Sequence, residues 1–352
     1  MHCNRQDTTL LDHCTSSLRI TVPVDDSVRF NALDLMLVHN AESAISDCAA
    51  ISRERAVLPR QVLGIALNSA VDAPYLLDQI LALSAFHIVR RQKGPLQSMT
   101  VLTTLHRRAL ELQNRAISHF TRSTVLTGLT RNCLPTFFFA AVLGLYSLSD
   151  MLELVRHGVF SEFIDRVVAT FRLHHGIRTC MLANWEELTG SEFSSLITMD
   201  DHDADVDILG GGTTDCGHLN IILDESVMPP DTLRVCRHAV RCLQSAFDLQ
   251  SMLSRGNGAF GAGTYSSSHA ALAFSVLVGS EYINLLDRRL PEALVILGHY
   301  GVLLHRCRLS WIFGDAGRCM VHSVAQQLGS YWGDAMSWPL QACMDETETT
   351  DR

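Results

Sequence analysis

Apolar residues return every three or four positions along most of the chain, and no stretch alternates apolar with polar residues for long. The pattern predicts helices with almost no sheet, an all-α fold. Leu33, Met36, Leu37, Ala41, Ala44 and Cys48 share one helical face. A second helix is expected after Asp72, a good N-cap, with Pro74 just inside its start and Leu76, Leu77, Ile80, Leu81, Ser84 and Ile88 facing inward. The small residues Ala82, Ser84 and Ala85 would let neighbouring helices come close. Residues 98–120 form an amphipathic pattern, with Leu102, Leu105, Ala109, Leu112, Ala116 and Phe120 inside and Arg107, Arg108, Glu111 and Arg115 outside. Residues 135–148 are apolar on nearly every side, the mark of a central buried helix, and further helices are read over 161–188 and 230–253.

The strongest pattern runs from Glu281 to Pro339. Pro291 and Glu292 suit a first helical turn, and Leu294, Leu297, Tyr300, Gly301, Leu304 and Arg308 follow with helical spacing. After Trp311 the sequence Gly314-Asp315-Ala316-Gly317 turns the chain, and Met320, Val321, Val324, Leu328 and Trp332 give a second stripe, so two antiparallel helices are expected. Helical pattern is missing over residues 1–32, expected to be a loosely held arm, and over the acidic tail 341–352. It also lapses in an acidic, glycine-rich insert over 197–226 and in a connector over 256–268, both expected as solvated loops. The insert's Asp200, Asp201, Asp203, Asp205 and Asp207 lack the glycine and terminal glutamate of an EF-hand loop at the required offsets.

Composition narrows the function classes. The 352 residues are 47% hydrophobic and 18% charged, enough for a substantial core, and the net charge of −9 provides no positive field for direct nucleic-acid contact. The eleven cysteines are irregularly spaced, so reduced thiols and an intracellular setting, nucleus or cytoplasm, are expected. The N-terminus has no apolar signal-peptide run, and no window approaches the roughly 18 uninterrupted apolar residues of a membrane span.

Several motifs resemble one family. Leu285-Leu286, Arg289, Pro291-Glu292-Ala293-Leu294, His299-Tyr300, Leu303-Leu304, Trp311, Gly314 with Gly317, and Trp338-Pro339 follow in order. This series resembles the end of the regulatory domain of fungal zinc-cluster (Zn2Cys6) transcription factors, in the branch that includes the sterol-uptake regulators. Leu35-Met36-Leu37-Val38-His39, the string LLDQILALSAFHI over 76–88, and Gly176-Ile177-Arg178 resemble upstream elements of the same domain. The family's zinc cluster uses six cysteines with C-x2-C pairs in a basic segment, whereas no two cysteines here have that spacing and the first 32 residues hold three arginines and no lysine. The resemblance therefore implies a helical regulatory domain over residues 33–340 without the zinc cluster.

Catalytic motifs are missing. There is no G-x-S-x-G elbow, no H-E-x-x-H and no dinucleotide-binding glycine fingerprint, so neither metal nor cofactor is expected. An apolar pocket with a few polar groups is the usual small-molecule site. His87, His299 and Tyr300 are candidate polar contacts, Phe137, Phe138, Phe139 and Trp311 candidate walls. By the resemblance, Gly314 and Gly317 line or hinge the site. The resemblance implies, as the leading expectation, a stand-alone regulatory domain that binds a lipophilic small molecule in a secondary-metabolite pathway, with a DNA-binding regulator in trans as partner. The alternative is a cofactor-free isomerase or epimerase working by proton transfer, with His87 as base and Asp78, Asp150, Glu153 and His157 as other candidates.

Overall fold

A computed structural model describes residues 32–48, 57–91, 99–127, 133–183, 215–255 and 267–344, and these contain helices and turns but no strand. The expected all-α class holds for them. The N-terminal arm before Ala32, the five insert aspartates, the glycine-rich connector over 256–266 and the tail after Met344 lie outside the described residues. The chain divides into two compact units, the first comprising residues 1–147 and 176–199, the second 148–175 and 200–352.

The first unit contains α1 (Ala32–Cys48), α2 (Val57–Ser69), α3 (Pro74–Arg91) and α4 (Met99–Thr127), and it shares α5 (Cys133–His157) and α6 (Phe160–Ala183) with the second. Pro74 opens α3 as expected. α3 is the core helix here, because Leu76, Ile80, Leu81, Ala82, Ser84 and Ala85 are all essentially inaccessible. Its small face carries the close approach to α1: the Ser84 hydroxyl donates to the Leu37 carbonyl at 2.7 Å, and the Asn40 amide donates to Ser84 Oγ at 3.0 Å. Rings complete the packing, with Phe120 stacked on Phe139 at 4.4 Å, both meeting Tyr75, and Phe86 against Tyr146.

Two arginines depart from expectation. Arg108 and Arg115, seven residues apart on α4, are buried rather than outward-facing. Each forks onto a carboxylate of a neighbouring helix: Arg108 Nη2 lies 2.8 Å from Asp34 Oδ2 of α1, and Arg115 Nε lies 2.8 Å from Asp78 Oδ2 of α3. Amphipathic spacing placed them outside, but the desolvation cost of a guanidinium is offset once a buried carboxylate meets it in bidentate geometry. Asp34 correspondingly joins Leu37, Ala41 and Ala44 on the buried face of α1, while Met36 turns outward.

The second unit continues with α7 (Gly217–Glu225), α8 (Pro230–Arg255), α9 (Ser267–Leu277), α10 (Ser280–Asp287), α11 (Pro291–Arg306), α12 (Ala316–Leu328), a 3-10 turn (Ser330–Trp332) and α13 (Gly333–Ala342). Pro291 begins α11 as expected, yet the helix does not show one inward face: every residue from Ala293 to His305 is buried. It is the centre of this unit. Tyr282 and Tyr300 reach their hydroxyls to the Ala293 and Ala271 carbonyls, both at 2.9 Å, so neither phenol is left unpaired. α11 and α12 pack as the expected pair. Their crossing depends on Gly317, where an added Cβ would stand 2.3 Å from the His305 nitrogen and 2.5 Å from the Gly301 carbonyl oxygen. Gly317 thus lies within α12 and serves close helix approach, whereas Gly314 in the preceding turn holds φ +47°, a left-handed conformation. Gly329 ends α12, so Trp332 falls in the next turn instead of continuing the stripe.

Among the described residues one helix, Cys133–Arg156 within α5, is long and apolar enough to cross a membrane, and 72% of its apolar window is buried, as in a core helix.

Candidate functional site: a buried histidine pair

The second unit brings together polar groups that the sequence does not place side by side. His299 of α11 is completely inaccessible. Its Nδ1 lies 2.9 Å from the Val295 carbonyl one turn earlier, and its Nε2 lies 2.7 Å from Nε2 of His218. A carbonyl only accepts, so Nδ1 of His299 carries the hydrogen. Burial holds this imidazole neutral by lowering its pKa to about 3, with the Val295 hydrogen bond opposing and His218 adding to the fall. The Nε2 of neutral His299 is therefore an acceptor, and His218 Nε2–H must donate to it. Burial lowers the His218 pKa as well. In neutral His218 the remaining nitrogen, Nδ1, is left as a bare lone pair.

The Trp338 ring of α13 stacks on His299, with centroids 5.3 Å apart and planes 17° from parallel, and lies 5.6 Å from His218. Its neighbour on α8 is Phe247 at 6.1 Å, and over Phe247 sits the Arg306 guanidinium at 4.9 Å. Arg306 also donates to Asp215 Oδ1 at 2.9 Å, while Asp215 Oδ2 is buried with no hydrogen-bond partner among the described residues. The segment that bears His218 is pinned from α8: Gln244 Oε1 accepts the Cys216 N–H at 3.0 Å, and its amide donates to Asp248 Oδ1 at 2.9 Å. Burial, followed by the charges of Asp215 and Asp248, raises the Cys216 thiol pKa and favours the protonated thiol.

The C-terminal part of the insert corrects the solvated-loop expectation, since residues 217–225 form a helix. Leu219 and Leu223, four apart, bury themselves and carry the turn down onto the unit. That spacing in HLNIILDE was the available signal for α7, masked by the acidic and glycine-rich residues before it.

The sequence candidates fall in both units. His87 and Phe138 are buried in the first, and His87 Nδ1 is 3.1 Å from the Asn40 amide nitrogen, a pure donor, so the lone pair there is already engaged. Also in the first unit, Gln79 is fully buried with neither amide atom hydrogen-bonded among the described residues. In the second unit, Tyr300 is packed between Phe171 and Phe274, and burial raises its phenol pKa. Trp311 is half-buried in the turn that contains Gly314, with Gly317 just beyond it. Only His299 of these belongs to the pair. The candidate carboxylates Asp78, Glu153 and Asp150 face Arg115, Arg156 and Arg166. The side chain of His157 lies outside the description. No group of three or more metal-ligating side chains meets among the described residues.

No protein-family model matches the chain, and no solved structure matches it. Over 74 residues, 20% of its length, the chain is 35% identical to a "Zn(2)-C6 fungal-type transcription factor" of Gibberella zeae. The matched stretch is 15% of that protein's length.

Proposed function

We propose that this chain is a regulatory domain of the fungal zinc-cluster transcription-factor type, of the sterol-uptake-regulator branch, that responds to a lipophilic small molecule in a secondary-metabolite pathway. The observation that carries the reading is the 74-residue likeness to the Gibberella zeae protein. The helical architecture and the ordered motif series over 285–339 support it. In this reading DNA contact falls to a zinc cluster outside these residues, and the acidic balance and the lack of C-x2-C pairs support that division. Within the second unit, the ligand is assigned to the His218–His299–Trp338 cluster, where a few polar atoms stand among aromatic rings.

The test joins the 352 residues to an unrelated DNA-binding domain upstream of a reporter gene in a fungal host, with and without lipid extracts of a producing culture. Reporter output that rises or falls with the extract is the expected result. Output indifferent to every fraction, combined with conversion of one fraction's component by the purified chain, overturns the regulatory reading in favour of an enzyme.

A further inference from the structure

We propose that His218 Nδ1 is the hydrogen-bond acceptor for a hydroxyl of a neutral, ring-bearing ligand, and that the buried His299 is the positioning residue that fixes this role. The inference rests on the ligand-binding reading above and specifies the chemistry of that same site.

The argument follows hydrogens from the inside outward. The Val295 carbonyl takes the His299 Nδ1 hydrogen, His299 Nε2 takes the His218 Nε2 hydrogen, and both links are short, at 2.9 and 2.7 Å. With His299 neutral, each step leaves one choice, and the outermost nitrogen is a lone pair without a hydrogen. His218 is half-buried rather than sealed, and its ring neighbours are His299 and Trp338. Three residues before it, Asp215 Oδ2 is a buried acceptor with no hydrogen-bond partner among the described residues. Among the described residues the Cys216 N–H is spent on Gln244 and the Arg306 bond goes to Asp215 Oδ1, so neither donor serves His218 Nδ1. A fitting occupant supplies donors. A hydroxylated apolar molecule satisfies the site, an ether leaves the lone pair unpaired, and a carboxylate sets acceptor against acceptor.

The experiment uses the full chain and three probes with one ring system: 2-naphthol, 2-methoxynaphthalene and 2-naphthoate. Nitrogen NMR of histidine-labelled protein reads the tautomer of His218 before any probe is added, and the expected state is Nε2–H with Nδ1 bare. The naphthol is expected to bind and to move the Nδ1 resonance, with the methyl ether and the carboxylate weaker by about tenfold. His218→Phe should erase the preference for naphthol over its ether while leaving circular dichroism unchanged, and His218→Gln, which retains an acceptor, should keep part of it. His299→Gln should release the tautomer, seen as a mixed His218 nitrogen signal. A hydrogen on Nδ1 in the free protein, equal affinity for naphthol and ether, or no naphthol binding would each overturn the proposal. Naphthol binding through His218 with a reporter that ignores every extract would sink the regulatory reading and leave this site standing. A responsive reporter unaffected by His218→Phe would do the reverse.

Discussion

Replacing His299 by Gln should remove a specific acid sensitivity from the fold. In the native state burial holds the His299 pKa near 3, against about 6.5 in an unfolded chain. Above the unfolded value both states hold a neutral imidazole, and the residue contributes no pH dependence. As the pH falls through that value the unfolded chain takes up a proton that the native state refuses until near 3, so stability drops by about 1.4 kcal/mol per pH unit. Between about pH 7.5 and pH 4.5 one such histidine costs about 2 to 3 kcal/mol, a large share of a typical folding free energy. His218, whose pKa burial also lowers, acts in the same direction. The assay is urea unfolding of wild type and His299→Gln at steps from about pH 7.5 to pH 4.5, followed by circular dichroism. Carboxylates and exposed histidines affect both proteins alike, so the difference in stability between them reports the buried histidine pair. That difference should shift in favour of the variant by about 2 to 3 kcal/mol across the range. A difference that stays constant with pH would refute the argument that His299 is held neutral by burial.

The remaining predictions concern packing and charge. Gly317→Ala places a methyl 2.3 Å from the His305 backbone nitrogen, so α11 and α12 must separate, and a loss of at least about 2 kcal/mol in the unfolding free energy is expected. Gly314→Ala, at φ +47°, should cost about 1 kcal/mol by the same measurement, and a neutral result would count against the left-handed turn. Asp78→Leu alone removes the carboxylate that Arg115 forks onto and should cost about 3 to 5 kcal/mol, whereas adding Arg115→Met should restore most of it; additive losses in this double-mutant cycle would contradict a buried pair. Gln79→Met removes an amide with no partner among the described residues and should raise the unfolding midpoint, equivalent to about 1 kcal/mol, unless a bound molecule satisfies that amide.

The helices were legible because their causes are local: three-four spacing, Pro74 and Pro291 at helix starts, and a glycine-marked turn after Trp311. What periodicity cannot express is which polar residues find partners across helices. Arg108 and Arg115 read as outward-facing because their burial depends on Asp34 and Asp78, distant in sequence. Likewise α11 reads as one-faced, yet neighbours cover it on all sides. The histidine pair was half visible. His299 and the Trp338-Pro339 end were found through motif order, but His218 comes from a segment whose charges and glycines suggested only solvent, and its pairing with His299 spans 81 positions. His87 looked like a base on its apolar helix because Asn40, its donor, sits 47 residues earlier on α1.

The central claim, a regulatory rather than catalytic role, is tested most directly by RNA sequencing of a strain that lacks this chain, beside the same strain complemented with it. The account predicts that a coherent set of biosynthetic transcripts falls on deletion and returns on complementation, with all products of the pathway lost together. Unchanged transcripts alongside the accumulation of a single intermediate would contradict it.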